Sequence, residues 1–313
     1  MIALTTDPFG GAPNPASVLS SSLSPPGVLR PRAGLLAARA ARLRHLATGH
    51  ELAPWLDLLS GLCGLQQTLL DHAGPAWAPG QAPDGAEPPL HAGHPGWPER
   101  LLPLHRALLA AMPDRQGDAA FSAQRQAARD LPDAALIEQA RGLLDLARGR
   151  PLQRPGQAGD VWLAASLQVL WIQAARHLAT VPQRPADAST CPCCGSLPVA
   201  GIVLTGDGKA GSRYLECSLC ATRWNAVRAR CTLCDSPHEV EYLGLEGHHP
   251  AVLAEACGDC GGYLKTLFQD KDPDVDPVAD DLASLRLDVA TGEAGHGRAG
   301  VNLFLLEAEA LGS

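Results

Sequence analysis

Aromatic residues make up only 4 % of the 313-residue chain, and lysine is nearly absent: three (Lys209, Lys265, Lys271) stand against 22 arginines. A core so poor in rings must rest on Leu, Ala and Val, a mixture led by strong helix formers. The arginine bias says more about genome composition than about function. No run of 18 apolar residues occurs, so no membrane insertion is expected. The opening stretch MIALTTDPFGGAPNP has no basic segment leading into an apolar one, so no secretory signal is expected there. Basic excess is lacking too. Residues 1–190 carry 16 Lys/Arg and 15 Asp/Glu, whereas residues 191–313 carry 9 and 18, a net of −9. A half so acidic repels polyphosphate and argues against nucleic acid as a partner.

What the chain does have is cysteine in a repeated pattern. Cys191/Cys194 and Cys217/Cys220 bracket 22 residues; Cys231/Cys234 and Cys257/Cys260 bracket another 22, with ten residues between the sets. A two-residue gap lets both sulfurs of a tight turn reach one ion, and two such turns complete a tetrahedral four-thiolate site. The spacing predicts two metal centres, each built from adjacent pairs. A closed four-thiolate site has no open position for substrate, so the metal is not expected to hydrolyse anything, and the chain is not expected to be an enzyme. All-sulfur geometry suits zinc and iron alike, and spacing does not separate them. A dithiol oxidoreductase would need one exposed pair on a helix N-terminus rather than four pairs at ribbon spacing. Reduced thiols in Cys-x-x-Cys pairs fit a cytoplasmic protein.

Two knuckles, Cys194-Gly195 and Cys260-Gly261, place glycine after the second cysteine, where backbone N–H groups must turn toward sulfur. Cys220-Ala221 and Cys234-Asp235 do not, and those turns are expected to be less regular. Cys193 is read as a bystander inside the first turn, and Cys63 as a core residue.

Around the cysteines the chain divides by texture. Residues 1–30 hold Pro, Gly and Ser without periodicity and are expected to be mobile. Residues 31–185 read as an irregular helical domain with its own Leu/Ala core, able to fold as a fragment. Helices are expected over 32–47 (Leu35, Leu36, Leu43 and Leu46 inward, Arg39 and Arg42 outward), from Pro54 to Leu70, and over 99–112, 118–129, 133–148 and 159–180. Seven prolines and five glycines between Gly74 and Pro98 mark a long loop. Short β-runs at Ile202–Thr205, Arg213–Glu216 and Glu239–Leu245 place one four-cysteine module over 186–225 and a second over 226–270. Residues 271–313 should add a helix over 277–290, a loop at Gly292–Gly300 and a strand at Val301–Leu306, packed on the modules. Asp270, Asp272, Asp274, Asp276, Asp280 and Asp281 read as a solvated turn or helix N-terminal charge, since Val275 stands where a calcium loop needs glycine.

Arg213, Arg223, Arg228 and Arg230 cluster near Trp224. They are read either as a positive docking patch on an acidic domain or as ion-pair partners of Glu216, Asp235 and Glu239.

Longer motifs carry a resemblance. CPCCGSLPV at 191–199, RYLECSLCATRWNAVRARCTLC at 213–234, Cys257/Cys260 followed by YLK at 263–265, and KDPDVDPVADDLASLRLD at 271–288 resemble the FdhE family of formate dehydrogenase accessory proteins. The likeness runs on more weakly from about Leu29 through the helical half. Two departures are visible: Asn302 is followed by Leu303, Phe304 and Leu305 in place of the family's usual Asn-Pro-Phe-Leu, and the 74–98 loop is long. The resemblance implies a helical domain joined to two rubredoxin-like modules and two iron ions. Cys191, Cys194, Cys217 and Cys220 would hold one, and Cys231, Cys234, Cys257 and Cys260 the other. It further implies a cytoplasmic maturation factor whose partner is the catalytic subunit of respiratory formate dehydrogenase. A rubredoxin-like electron carrier is the alternative, ahead of a nucleic-acid-binding zinc ribbon protein.

Overall fold

Helix formation follows the apolar periodicity. The computed structural model describes residues 4–6, 25–73, 87–113, 118–154, 156–157, 159–183, 189–206, 209–228, 230–246 and 250–305. Its first helices are α1 (Leu35–Ala47), α2 (Ala53–Asp71), α3 (Trp97–Ala111), α4 (Ala119–Asp130), α5 (Asp133–Ala147) and α6 (Asp160–His177). Proline in the first turn starts α2 and α3. The Asp118 side chain accepts the Phe121 N–H to cap α4. Gly49 and Gly149, at φ of 72° and 82°, lie just beyond the ends of α1 and α5, where a left-handed residue stops a helix. The part of the Pro/Gly loop over 74–86 lies outside the described residues, as do His248 and His249.

α6 is the pivot of the chain. It is buried from Asp160 to Ala175 on every side, with α2, α3 and α5 against it. A helix apolar all round needs cover all round. The cover on its remaining face comes from the cysteine half. Leu163, Leu167 and Trp171 share a cluster with Leu215, Trp224 and all four cysteines of the first set. A second cluster joins Leu43, Leu56, Leu59 and Trp162 to Ile202, Tyr214, Leu267, Val278 and Phe304. The Leu/Ala core expected to belong to the helical half alone is therefore shared.

The cysteine half forms one sheet. β3 (Pro198–Val203), β4 (Arg213–Cys217) and β5 (Arg223–Ala226) carry the first set; β6 (Val240–Leu245), β7 (Val252–Cys257) and β8 (Gly262–Phe268) carry the second. Each trio is antiparallel, and the trios are joined by a parallel pairing of β3 with β8 (Gly201↔Thr266, Ile202↔Leu267, Val203↔Phe268). Gly201 is required at this joint: a Cβ there would lie 2.7 Å from Thr266 Oγ1. Two pieces of the segment expected to be mobile are strands instead. β1 (Leu4–Thr6) pairs with β6, and β2 (Val28–Leu29) pairs with β5.

The C-terminal segment departs from expectation in two places. The helix predicted over 277–290 is broken at Ser284 into α7 (Pro277–Ala283) and α8 (Leu285–Glu293). The buried Lys265 ammonium takes the Asp281 carbonyl at 2.7 Å and the Ser284 hydroxyl at 3.0 Å, which removes an acceptor from the helical ladder. Leu287 rather than Leu285 then faces the core, beside Leu243, Leu245 and Tyr263. Residues 301–305 are a turn, not a strand, with Leu303 and Phe304 buried and Asn302 accepting the Phe304 N–H. A short strand, β9 (Gly297–Arg298), lies instead in the expected loop and pairs with β8. Leu306 is outside the described residues.

Charge placement gives the largest correction. Arg39 points inward and is 1 % exposed, with Nε 2.8 Å from Asp276 and Nη2 2.8 Å from Glu216. Arg42 is buried too, at 2.6 Å from Asp280 and 2.7 Å from Asp272. Half of the acidic run is thus interior: Asp276, Asp280 and Asp281 are buried, and Asp276 also caps α7 by accepting the Val278 and Ala279 N–H groups. Asp281 pairs with Lys265 at 2.9 Å and Arg298 at 2.7 Å. α1 has to satisfy α2 on one side and α7 with the sheet on the other. Its polar stripe enters that second contact only because carboxylates wait there.

Candidate metal centres

Each centre is assembled from two knuckles placed by the sheet. One knuckle precedes the first strand of a trio (Cys191/Cys194 before β3, Cys231/Cys234 before β6). The other links the second strand to the third (Cys217/Cys220, Cys257/Cys260). The turns repeat closely. Gly195, Asp235 and Gly261 each donate an N–H to the carbonyl of the first cysteine of their pair, at 2.8, 3.0 and 2.9 Å. All four residues after the second cysteine are left-handed: Gly195 at φ 77°, Ala221 at 53°, Asp235 at 59° and Gly261 at 67°. The expectation of less regular turns at Ala221 and Asp235 is therefore corrected. Closing the four-sulfur cluster forces the same backbone on them, at the cost of some strain.

Both sets bring four sulfurs together, each set lying within 4.8 Å. In the first, Sγ–Sγ separations are 3.5 Å (Cys191–Cys220), 3.4 Å (Cys194–Cys217) and 3.6 Å (Cys194–Cys220). In the second they are 3.8 Å (Cys231–Cys260) and 3.9 Å (Cys234–Cys257). Thiolates about 2.3 Å from a shared ion in a tetrahedron stand about 3.8 Å apart. Disulfide bonding would need about 2.05 Å, and all of these cysteines are free. The donor set fits a soft or borderline metal such as iron or zinc. Backbone N–H groups add to the sulfur environment: Leu219 and Cys220 donate to Cys217 at 3.4 Å, and Leu233 to Cys231 at 3.4 Å.

The two centres differ in depth. All four cysteines of the first are buried, and its cluster includes Leu90, Trp97, Trp171 and Trp224. Leu90 donates its N–H to the Cys193 carbonyl at 2.8 Å and accepts Trp171 Nε1 at 2.9 Å, tying a loop over the knuckle. Cys193 is buried in the same apolar cluster but is not one of the four converging sulfurs, and Cys63 is buried among α2 core residues. In the second centre Cys231 and Cys257 are buried, whereas Cys234 and Cys260 are exposed. Burial raises the Cys191, Cys217 and Cys220 thiols. Burial acts the same way on Cys194, but hydrogen bonds from Cys191, Cys217, Cys220 and Ser196 outweigh it and hold that thiol well below its usual range. Burial pushes Cys231 up to about 12. Cys257 is lowered: burial opposes ionisation, but N–H groups of Cys260 and Asp259 favour the thiolate.

The arginine cluster is split by the fold. Arg213 is buried, pairing with Glu255 at 2.9 Å and Thr232 at 2.7 Å, and Trp224 is fully buried in the core. Neither can form part of a docking surface. Arg223 is half-buried on Glu216 at 2.7 Å. Arg230 is exposed, pairing with Asp235 at 2.7 Å, and Arg228 is half-buried near the Gly211 carbonyl. Two of the anticipated ion pairs are present, and the Arg213–Glu255 pair was not anticipated. Among the described residues the exposed large apolar side chains are Val227, Leu233 and Val289. Val227 precedes the second centre in sequence and Leu233 lies inside its first knuckle, between Cys231 and Cys234; neither is singled out by the sequence.

Comparison with known proteins covers almost the whole chain. Profiles described as FdhE N-terminal, FdhE central domain and FdhE C-terminal domain match residues 24–187, 190–228 and 229–305. The chain is 36 % identical over 294 residues to a protein FdhE homolog of Pectobacterium carotovorum subsp. carotovorum (strain PC1), covering 90 % of each. It is 36 % identical over 306 residues to the Pseudomonas aeruginosa homolog, covering 93 % of this chain and 96 % of that one. The crystal structure of the FdhE protein from Pseudomonas aeruginosa superposes with a TM-score of 0.77 at 34 % identity, covering 89 % of this chain and 98 % of that one.

Proposed function

The chain belongs to the FdhE family, and we propose that it is a cytoplasmic accessory factor that binds the immature catalytic subunit of respiratory formate dehydrogenase. The observation that carries this reading is the pair of complete four-cysteine clusters in a chain of FdhE length and order. Four thiolates leave no coordination position for a substrate, which favours assembly over turnover. Cys191, Cys194, Cys217 and Cys220 would hold one ion, and Cys231, Cys234, Cys257 and Cys260 the other. Iron is the metal of this reading, with zinc as the alternative. Iron in such a site supplies a one-electron couple that needs no change of ligands.

The residues around the ions hold position rather than react. Arg39 and Arg223 clamp Glu216, immediately before Cys217, so the second knuckle of the first centre is fixed to α1. Exposed Val227 and Leu233, with Arg228 and Arg230 beside them, form the surface assigned to the subunit. No helix among the described residues is long and apolar enough to cross a membrane. An electron carrier is the second reading, favoured by the exposure of Cys234 and Cys260.

Deleting the gene tests the proposal. Respiratory formate oxidation should be lost while the catalytic subunit is still exported. Charge reversal at Arg228 and Arg230 should weaken capture of that subunit without changing metal content. A deletion strain that oxidises formate normally refutes the assembly role.

A further inference from the structure

The sequence presents two centres with identical spacing, but the fold places them in different environments. Around the first, every sulfur is buried, a loop is tied over Cys193, and Cys194 and Cys220 also have hydroxyl neighbours, Ser196 at 3.4 Å and Thr222 at 3.2 Å. Pro88 packs against Gly195, where an added Cβ would meet its Cγ at 3.4 Å. An incoming ligand has no approach to these sulfurs without opening the shared core.

The second centre is more open, although Leu233 packs against Gly262 beside Cys260. Its two exposed cysteines sit one on each knuckle, Cys234 before β6 and Cys260 before β8. Its sulfurs stand 3.8 and 3.9 Å apart, against 3.4 to 3.6 Å in the first. Among the described residues, nothing lies within 4 Å of where a Cβ would stand on Gly261, beside Cys260, on that side of the knuckle. Cys231 and Cys257 remain buried beneath. Metal thiolates exchange by attack of an external thiolate, at rates governed by access.

We propose that the second centre is an exchange site, which passes its ion to or from an external thiolate ligand, and that the first centre is a fixed structural one. The inference rests on both sets holding metal, as assigned above. In each exchange step one bond from the metal to Cys234 or Cys260 breaks and one bond to the incoming sulfur forms. The proton of the incoming thiol passes to the departing cysteine, and the metal keeps its oxidation state. Cys231 and Cys257 hold the ion until the last step.

The test uses the full-length chain loaded with two zinc ions, glutathione as the external thiol and a chromophoric chelator to report released zinc. One ion should leave at a rate that rises with glutathione concentration, and the other at least about 100-fold more slowly. Cys260→Ser in the full chain should accelerate the fast phase or abolish it and leave the slow ion in place. Release of both ions at one rate, or a fast phase indifferent to glutathione, overturns the exchange role and leaves the metal assignment standing. If Cys260→Ser loses its fold, the two-phase release of the unaltered protein still decides the matter. A chain that holds no zinc or iron at all refutes the metal assignment and, with it, this inference.

Discussion

Replacing Arg39 with methionine would remove a positive charge from between two buried carboxylates while keeping most of the side chain's volume. Guanidinium contacts of 2.8 Å to Asp276 and 2.8 Å to Glu216 would be lost, and both acids are nearly inaccessible to water. Breaking a buried pair from one side costs about 3–5 kcal/mol, because a charge is left without a partner. Here the lower end applies. Glu216 retains Arg223 at 2.7 Å, and Asp276 retains the Val278 and Ala279 N–H groups at 3.0 and 2.9 Å. The expected loss is therefore about 3 kcal/mol, read by denaturant titration of the metal-loaded chain. Because the penalty lies in the orphaned acid, adding Asp276→Asn to Arg39→Met should return part of it. Burial alone would push Asp276 up, but the Arg39 guanidinium outweighs it and holds the carboxyl below its usual value. Stability from that pair is present above the acid's unfolded value near 3.9 and is lost as pH falls through the lower folded value. Wild type and Arg39→Met should thus converge in strong acid. A loss under about 1 kcal/mol, or one made worse by Asp276→Asn, would refute the argument.

Three further outcomes follow from the geometry. Burial, helped by the Arg106 charge, lowers His105 to about 4 despite its backbone hydrogen bond at Trp162. The unfolded chain therefore takes up a proton between about pH 6.5 and 4 that the folded chain refuses, so stability should fall by about 3 kcal/mol across that window. His105→Gln should flatten the slope by about one proton in pH-dependent denaturation, and an unchanged slope counts against it. Ala221→Gly should stabilise the loaded protein by about 1 kcal/mol, because the left-handed backbone at φ 53° strains alanine; a lower melting temperature would contradict this. A fragment ending at residue 185 should fail to pack, because the buried face of α6 needs Leu215 and Trp224. Sharp near-ultraviolet circular dichroism from that fragment would mean that the helical half closes its own core after all.

The elements and the chemistry were largely legible in the sequence, whereas their mutual placement was not. Leu periodicity locates α1, α2, α3 and α5 because each has an apolar stripe facing a neighbour, and the matched 22-residue gaps identify the sulfur clusters because ring closure depends on local spacing. Arg39 escaped because its partners lie 177 and 237 residues away, and an arginine on a helix face reads as solvated by default. The unequal depth of the two centres escaped for a related reason. The knuckles CPCC and CGDC look equivalent, and only the loop at Leu90 and helix α6 distinguish them by covering one. Asn302 stands where the motif pattern placed it, but residues 301–305 form a turn, since Asn302 is held by Asp281 at 2.9 Å instead of joining the sheet.

The parallel pairing of β3 with β8 has a geometric corollary. It joins the third strand of one trio to the first strand of the other, a head-to-tail union. Such a joint leaves a first strand, β6, and a third strand, β5, at the two ends, and each could in principle accept another trio by the same rule. Repetition of an unclosed contact is how filaments grow. In this chain both growing ends are terminated by its own N-terminal region: β1 lies along β6 and β2 along β5. Two strands of three and two residues thereby limit an extensible pattern to two copies, serving as end caps of the kind repeat arrays place on their last units.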